Sequence, residues 1–443
     1  MNNDFWVGFD KAVITPSKEM VMSGYVVRKR KSIGKIDDLY MRTLYLKDAR
    51  GKEVLTILLE VIRIDDELYR QISERIHEEF GISKNNIHVV ATHTHSGPEV
   101  SINYWSTTPL KEDDIKEIEE YREFLIEKSV ETTRNAFNNS VRAKIYVGKT
   151  LIRNVATNRI DPRGPMDYEA VYMLFRNAYG KNIALIINYA CHPTVLGAEN
   201  LKFSGDLVGR IMQRLEEELG VPVYFFNGAA GNVSTRFTRK DRSVHCLEEL
   251  VGRFIRETMN SLRSGILEPI SKSIIYSGVR RVSVGIKSID TDIEDLAEIK
   301  HDILEKLETL KRRKASSGDI RKLESALEGI SLLINKLSGI KNMHAPRIEF
   351  DIKYTIIGDK VLAVYFPGEA FIEYQLHLKQ KSIYPYVMFI GYADGYIGYL
   401  PYGENLYHNS EYIYEEIVSL INPGDREKIL RILEEIATQK ISS

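Results

Sequence analysis

Residues 183–219 read IALIINYACHPTVLGAENLKFSGDLVGRIMQRLEEEL and contain a strand–helix unit that indicates the fold class. The run from 183 to 190 is apolar and β-branched, which predicts a buried strand. From 206 to 219 apolar residues recur at helical spacing, which predicts an amphipathic helix. A histidine, a proline and a Ser-Gly-Asp turn separate the two segments. A strand followed by a helix in this way is typical of an α/β fold.

The same two kinds of segment recur along the chain. Short apolar runs predict strands at 54–61, 87–92, 221–226, 361–366 and 386–391, and amphipathic patterns predict helices at 66–80, 112–137, 246–262 and 424–440. Residues 143–180 alternate and carry turn residues, which predicts antiparallel hairpin strands. We therefore expect a central mixed β-sheet flanked by helices, in one catalytic domain that spans residues 1–443.

Residues 292–338 differ from the rest of the chain. Apolar residues recur at helical spacing on both sides of the sequence KASSGD, in which Asp319 is the expected N-cap of the second helix. The segment predicts an antiparallel helical hairpin inserted into the domain. Two interpretations stay open: a lid or a contact between subunits of a homo-oligomer, or a decoration with a solvated outer face.

Composition excludes several classes of protein. The 443 residues include 61 basic and 62 acidic side chains, so the basic excess of a nucleic-acid-binding protein is absent. Two cysteines exclude a disulfide framework. Neither a secretory signal nor a transmembrane run of about 20 apolar residues is evident. We therefore expect a cytoplasmic protein without a transmembrane segment.

Unusual polar clusters follow the ends of five predicted strands. In α/β sheets the loops at the carboxyl edge bind ligands, so these clusters mark the expected site. They are the sequence ATHTHSGP at 91–98, His192 after strand 183–190, the small-residue loop NGAAGNVS at 227–234, Glu369 in YFPGE at 365–369, and the tyrosine-rich segment 391–402.

Each cluster offers groups suited to hydrolysis. If the strand at 87–92 continues through the histidine pair, period-two alternation places His93 and His95 on one face, as a metal ligand and a neighbouring acid or base. His192 is either a capped core residue or a further ligand. Small residues around Gly231 and Asn232 allow backbone amides to approach an oxyanion. Together these features predict a zinc hydrolase site, assembled from distant segments because the HExxH motif is absent.

Eight sequence pieces, in this order, resemble the catalytic domain of the neutral (alkaline, non-lysosomal) ceramidase family. They are VGFDKAVITP from residue 7, MSGY, ATHTHSGP, TNRIDPRGP, INYACHPTVLGAENLKFSGDLVG, FFNGAAGNVS, FPGEAF and GYADGYIGYLP, which ends at residue 401. The resemblance extends over nearly the whole chain. It implies one zinc ion per chain, with His93, His192, Glu369 and Tyr399 as the ligands.

The resemblance also implies further site residues. His95 would stabilise the oxyanion or move protons, and Arg159 would bind the oxyanion. Ser234 would be either a nucleophile or a substrate contact. A second site tyrosine is expected about a dozen residues after the first, and Tyr412 is preferred to Tyr414.

Some features depart from the family pattern. Asn232 replaces the usual aspartate, and Thr235 replaces a frequent proline. We also expect the chain to lack the family's C-terminal immunoglobulin-like domain. The implied activity is hydrolysis of an amide bond in a small-molecule or lipid-like N-acyl substrate. The alternatives are a zinc hydrolase of another small amide, ester or peptide-like substrate, and a non-enzymatic zinc-binding protein.

Overall fold

The structure is a computed structural model that describes residues 4–102, 110–286, 289–315, 317–340, 347–402 and 413–441. Its strands are β1 Phe5–Val13, β2 Tyr40–Lys47, β3 Glu53–Leu59, β4 Ile87–Ala91, β5 Val141–Leu151, β6 Thr157–Asn158, β7 Glu169–Asn177, β8 Asn182–Tyr189, β9 Val223–Asn227, β10 Val233–Ser234, β11 Glu268–Pro269, β12 Ile275–Gly285, β13 Arg347–Ile357, β14 Val361–Tyr365, β15 Glu369–Ala370, β16 Tyr386–Ile390 and β17 Tyr399–Leu400. Its helices are α1 Asp66–Phe80, α2 Glu112–Asn138, α3 Asp206–Leu219, α4 Val244–Ser264, α5 Ile289–Arg312, α6 Ser317–Ile340, α7 Ile372–Lys381, α8 Tyr414–Val418 and α9 Arg426–Ala437.

The larger sheet has the strand order β4-β3-β2-β1-β5-β7-β8-β9, and β11 pairs with β5. The pairs β3–β4 and β8–β9 are parallel, whereas β5–β7 and β7–β8 are antiparallel. The mixed sheet and the hairpin strands within 143–180 are therefore confirmed. Helices α1 to α4 contribute apolar residues to the same core as this sheet.

A second sheet, β12-β13-β14-β16, packs against the larger one. Alternation along β14 shows why both of its faces are buried. Val361, Ala363 and Tyr365 belong to the core shared with the larger sheet. Leu362 and Val364 belong to a second core, to which α7 and α9 contribute. The predicted α/β class is confirmed, and the strands at 361–365 and 386–390 lie in this separate sheet.

The expected helical hairpin is present as α5 and α6. Helix α6 begins at Ser317, so Asp319 lies in its first turn and the expectation that Asp319 is the N-cap is wrong. The two helices share an apolar core with one residue of α8: Leu296, Ile303, Leu307, Leu323, Ala326, Ile330, Leu333 and Ile417. The hairpin is thus packed on α8.

Two further expectations concern the location of the protein in the cell. Among the described helices, none is both long enough and apolar enough to cross a membrane. Cys191 and Cys246 are buried free thiols. The cytoplasmic location, the single-domain organisation and the homo-oligomer stay predictions.

Candidate active site and metal centre

The loop after β16 brings the two edges of the larger sheet together. Strands β4 and β9 lie at opposite edges in the strand order. The Ala91 amide, at the end of β4, donates to the Tyr392 carbonyl at 3.0 Å, and the Gly391 amide donates to the carbonyl of Asn227, at the end of β9, at 2.9 Å. The polar clusters that follow these strands therefore converge on one place.

His93 has a backbone conformation that the sequence did not predict. Strand β4 ends at Ala91, and His93 has a φ of 68°, so the strand does not continue through His93 and His95, and the condition for period-two alternation is not met. The His93 amide donates to the Val61 carbonyl at 3.0 Å instead of continuing a strand. The two imidazoles still meet, with their Nε2 atoms 3.3 Å apart.

Backbone carbonyls determine which nitrogen of His93 and His192 carries the proton. His93 Nδ1 lies 2.6 Å from the Ile62 carbonyl, and His192 Nδ1 lies 3.0 Å from the Ala230 carbonyl. Because a carbonyl only accepts, each Nδ1 is the donor and each Nε2 presents a lone pair. The two Nε2 atoms are 3.0 Å apart. Burial, together with the charge of Arg159, lowers the pKa of His192 well below its ordinary value, so its ring stays neutral.

Glu369 adds an oxygen to these two nitrogens. Its Oε2 lies 3.2 Å from His93 Nε2 and 3.7 Å from His192 Nε2, and accepts no hydrogen bond from the described residues. The other oxygen, Oε1, accepts a hydrogen bond from the Tyr396 hydroxyl. Burial alone would raise the pKa of Glu369, but the hydrogen bond from Tyr396 and the positive charge of Arg159 oppose burial, and that pKa lies below its usual value. The group is therefore a carboxylate.

This arrangement fits a metal ion. Two lone pairs and a carboxylate oxygen repel one another at 3.0–3.7 Å unless a cation lies between them. Ligand atoms 2.0–2.1 Å from a tetrahedral zinc ion lie about 3.3 Å from each other, and zinc accepts this set of nitrogen and oxygen donors. The ligand roles of His93, His192 and Glu369 remain predictions that this geometry supports.

His95 competes with Tyr399 for a further ligand position. The ring nitrogens of His93, His95 and His192 lie within 4.8 Å of one another, as in a three-histidine metal site. Burial and the neighbouring His93 lower the pKa of His95 well below its ordinary value, so a lone pair is available there too. Gly24, with a φ of 101°, lies directly against this ring. A Cβ at Gly24 would lie only 2.6 Å from His95 Cγ.

Tyr399 and Arg159 form the other side of the site. Tyr399 stands beside Glu369 in the parallel pair β15–β17. Its hydroxyl accepts a hydrogen bond from Arg159 Nη2 at 3.1 Å. Burial and the Glu369 carboxylate raise the pKa of Tyr399 well above its ordinary value. The role of Tyr399 as a ligand stays a prediction.

Ser234 lies between His192 and the Arg159 segment. It forms an isolated parallel bridge with His192, and β10 pairs with β6, the strand that directly precedes Arg159. The Ser234 Oγ accepts from the Arg236 amide at 3.2 Å, and the residue is 2% exposed. Its role as nucleophile or substrate contact stays a prediction.

The Gly231 amide and the Asn232 side chain are already engaged in the loop before Ser234. The Gly231 amide donates to the Ala370 carbonyl at 2.9 Å, so it is not available to a substrate oxygen. Asn232 uses both side-chain groups at the start of α7: Oδ1 accepts from the Ile372 amide at 2.8 Å, and Nδ2 donates to Glu373 at 2.9 Å. Gly231 instead permits close packing, since a Cβ there would lie 2.5 Å from the Glu369 carbonyl oxygen.

Of the two candidates for the second site tyrosine, the structure describes one. Tyr412, the preferred one, lies outside the described residues. Tyr414 lies in α8, with its ring centroid 6.1 Å from that of Tyr399. Burial and the charge of Glu369 raise its pKa. The alternative that the sequence left open thus lies next to the candidate site.

Sequence reasoning missed three residues that contact the site. The Tyr392 ring stacks on His93 with centroids 3.9 Å apart, and Tyr396 binds Glu369. Glu415 Oε1 lies 2.7 Å from Arg159 Nε. The tyrosine-rich composition of 391–402 was a signal for the first two, whereas no local pattern marked Glu415.

A cavity of about 700 Å³ reaches the site at Tyr396. Charged side chains, among them Arg63, Asp66 and Arg122, form much of its wall. Tyr396 also packs under the Arg63 guanidinium, 5.6 Å from its ring centroid. Ile102 and Ile126 also line it, so the wall combines charged and apolar groups.

Tyr396→Phe is expected to weaken metal binding about 10- to 100-fold, the usual effect of removing a hydrogen bond to a metal ligand. The change removes the donor to Glu369 Oε1 and leaves the aromatic ring in place. Competition with a zinc-responsive chelator dye measures the affinity. Tyr179→Phe, at a tyrosine that is 94% exposed, is the control. An affinity equal to that of the control would contradict the role of Tyr396.

Comparisons with known proteins concern the family and the fold of the chain. The family model described as neutral/alkaline non-lysosomal ceramidase, N-terminal, matches residues 5–234. The crystal structure of neutral ceramidase from Pseudomonas aeruginosa superposes with a TM-score of 0.72 at 16% identity, over 100% of this chain and 77% of that chain. A ceramidase complexed with C2 gives a TM-score of 0.73 at 15% identity, with the same coverage of 100% and 77%. At these identities the structural likeness concerns the fold.

Proposed function

The chain belongs to the neutral/alkaline non-lysosomal ceramidase family, and from this we propose that it is a zinc-dependent hydrolase that cleaves the amide bond of a ceramide. The observation that carries the proposal is the convergence of His93 Nε2, His192 Nε2 and Glu369 Oε2 within 3.7 Å. Neutral nitrogens and an ionised carboxylate at such distances form a ligand set for a divalent cation.

His93, His192 and Glu369 would hold the zinc ion, with Tyr399 or His95 next to them. A zinc ion there would supply Lewis-acid polarisation of a carbonyl and a nucleophile at neutral pH, because it lowers the pKa of water. The carbonyls of Ile62 and Ala230 keep both Nε2 atoms directed at this point. The hydrogen bond from Tyr396 orients the carboxylate.

Arg159 is the residue best placed to stabilise the developing oxyanion. Its guanidinium is buried beside Tyr399, so its charge acts in a region with little water. A donor that meets an oxyanion in such surroundings contributes about 10²- to 10³-fold to kcat. Since the Gly231 amide is engaged elsewhere, Arg159 carries this role in the proposed reaction.

His95 is the candidate for proton transfer. Its low pKa leaves the ring neutral at pH 7, so it can accept a proton from the attacking group. The same proton would pass to the amide nitrogen as the C–N bond breaks, releasing a fatty acid and a sphingoid base. Ser234 would then orient the substrate, or attack the carbonyl itself and transfer the acyl group to water.

The test is hydrolysis of ceramides with acyl chains of graded length by zinc-loaded protein, with the released sphingoid base measured by mass spectrometry. We expect release that stops when zinc is chelated and returns when zinc is added. N-acyl amino acids and simple esters are run in parallel. Hydrolysis of these compounds alone would overturn the ceramide assignment. A zinc-loaded protein that hydrolyses none of them would overturn the proposed function.

A further inference from the structure

A tight contact joins the helical hairpin to α8. Gly329 of α6 faces this helix: a Cβ at Gly329 would lie 2.9 Å from Val418 Cγ1 and 3.0 Å from Tyr414 Cδ2. Contacts this short are well inside the optimal separation of carbon atoms, about 3.5–4.0 Å. Glycine in a helix interior is unfavourable relative to alanine. The close approach of the two helices accounts for its presence here.

Helix α8 depends on the hairpin for its position. It has only five residues, Tyr414–Val418, and a helix of that length is not stable by itself. Its Ile417 is 1% exposed and packs in the hairpin core with residues that include Ile303 and Ile330. Helix α8 therefore packs on the hairpin through Ile417, while its Val418 belongs to the second core.

Residues of α8 also contact the candidate active site. Glu415 Oε1 lies 2.7 Å from Arg159 Nε, and the two side chains are 7% and 9% exposed. The Tyr414 ring packs on Tyr399. Just beyond the helix, Ser419 Oγ donates to the Tyr399 carbonyl at 2.9 Å. Three successive contacts thus link this short segment to Arg159 and Tyr399.

Glu415 holds the Arg159 guanidinium from one edge. Glu415 Oε1 forms an ion pair with Nε at 2.7 Å, and Nη2 of the same planar group donates to the Tyr399 hydroxyl at 3.1 Å. Burial penalises the charge of Arg159, and the Glu415 carboxylate compensates for this, so that the pKa of Arg159 is raised overall. Without Glu415, a buried cation would lose its nearest anion and its orientation.

We propose that the α5–α6 hairpin is a positioning element of the active site. Gly329 allows α8 to pack closely against α6, and α8 in turn places Glu415 beside Arg159. The hairpin is then neither a decoration nor a lid, and Glu415 is a positioning residue for the oxyanion donor. The catalytic part of this inference rests on the proposed function, whereas the link from Gly329 to Arg159 does not.

The first test compares Gly329→Ala with a matched control, Gly252→Ala. Gly252 lies in α4, and a Cβ there meets nothing within 4 Å. In ceramide hydrolysis, Gly329→Ala is expected to lower kcat by on the order of 10- to 100-fold with little change in KM, the effect of a misplaced catalytic group. Gly252→Ala is expected to match the wild type. Equal kcat values for the two variants would overturn the proposal.

The second test is a double-mutant cycle that needs no activity. Glu415→Gln is expected to lower the urea midpoint of unfolding in the wild-type background, because it leaves Arg159 without its anion. In the Gly329→Ala background the same change is expected to shift the midpoint much less, because Glu415 is already displaced. Equal shifts in both backgrounds would overturn the link between the hairpin and Arg159.

Two safeguards keep the outcomes distinct. If Gly329→Ala does not fold, Ile417→Val replaces it in both tests, since it removes a single methylene from the contact between α8 and the hairpin. A wild-type protein that binds zinc and hydrolyses no ceramide would overturn the proposed function. The urea cycle would then still decide whether the hairpin positions Glu415.

Discussion

His192→Ala is expected to yield a folded protein without bound zinc and without amide hydrolysis. The imidazole is fully buried, and its Nε2 lies within 3.7 Å of both His93 Nε2 and Glu369 Oε2. Losing a ligand costs more than the loss of a hydrogen bond to a ligand, which is typically about 10- to 100-fold in metal affinity. Elemental analysis of protein purified without chelator measures the zinc per chain, with about one expected in the wild type.

Two companion variants make this result interpretable. His245→Ala removes a histidine from α4 whose side chain is 85% exposed, and it is expected to retain zinc. His95→Ala distinguishes the two roles of His95, since zinc is retained if that ring moves protons and lost if it is a ligand. One zinc per chain in His192→Ala would contradict the proposed metal centre.

Arg159→Lys is expected to lower kcat by about 10²- to 10³-fold, the usual effect of losing an oxyanion donor. A lysine keeps the positive charge, but it lacks the planar fork that contacts Glu415 and Tyr399 together. Steady-state kinetics on a short-chain ceramide measures the change. Arg163→Lys, in the same loop and 91% exposed in its side chain, is the control.

The stability of Arg159 variants tests the same contact independently. Arg159→Ala leaves the Glu415 carboxylate buried without its cation, which is expected to lower the free energy of unfolding by about 3–5 kcal/mol. Arg159→Lys is expected to be closer to the wild type. A kcat for Arg159→Lys within twofold of the control would rule out Arg159 as the oxyanion donor.

Local sequence was sufficient for most elements but not for their assembly. The predicted helices at 66–80 and 206–219 agree with α1 and α3 residue for residue. Their apolar periodicity is a property of neighbouring residues. Strands β12 and β13 were not predicted, because one carries Arg280 and Arg281 and the other mixes Glu349, Asp351 and Lys353 with apolar residues. A half-buried strand of this kind has no continuous apolar run.

The candidate site likewise contains residues that the sequence could identify and residues that only the structure revealed. His93, His192 and Glu369 were identifiable, because a histidine or a carboxylate directly after an apolar strand is a local signal. Arg159 was named from the resemblance to a family and not from any pattern. Glu415 was missed, since its contact is with a residue 256 positions earlier in the chain (415 minus 159). The Tyr396 contact with Glu369 likewise depends on how two loops meet.

The sequence by itself determined the α/β class, the bounds of most helices and of six strands with continuous apolar runs, and the residue types available for a metal site. These properties depend on short-range periodicity and on the chemistry of single side chains. Tertiary structure alone decided that opposite edges of the larger sheet meet at the loop after β16. It also decided that the carbonyls of Ile62 and Ala230 direct two imidazole lone pairs at one point. The packing of the hairpin on α8, and the contact of α8 with Arg159, were likewise decided by tertiary structure. Such contacts join residues far apart in the chain, and they form only when the packing of the whole core brings those residues together.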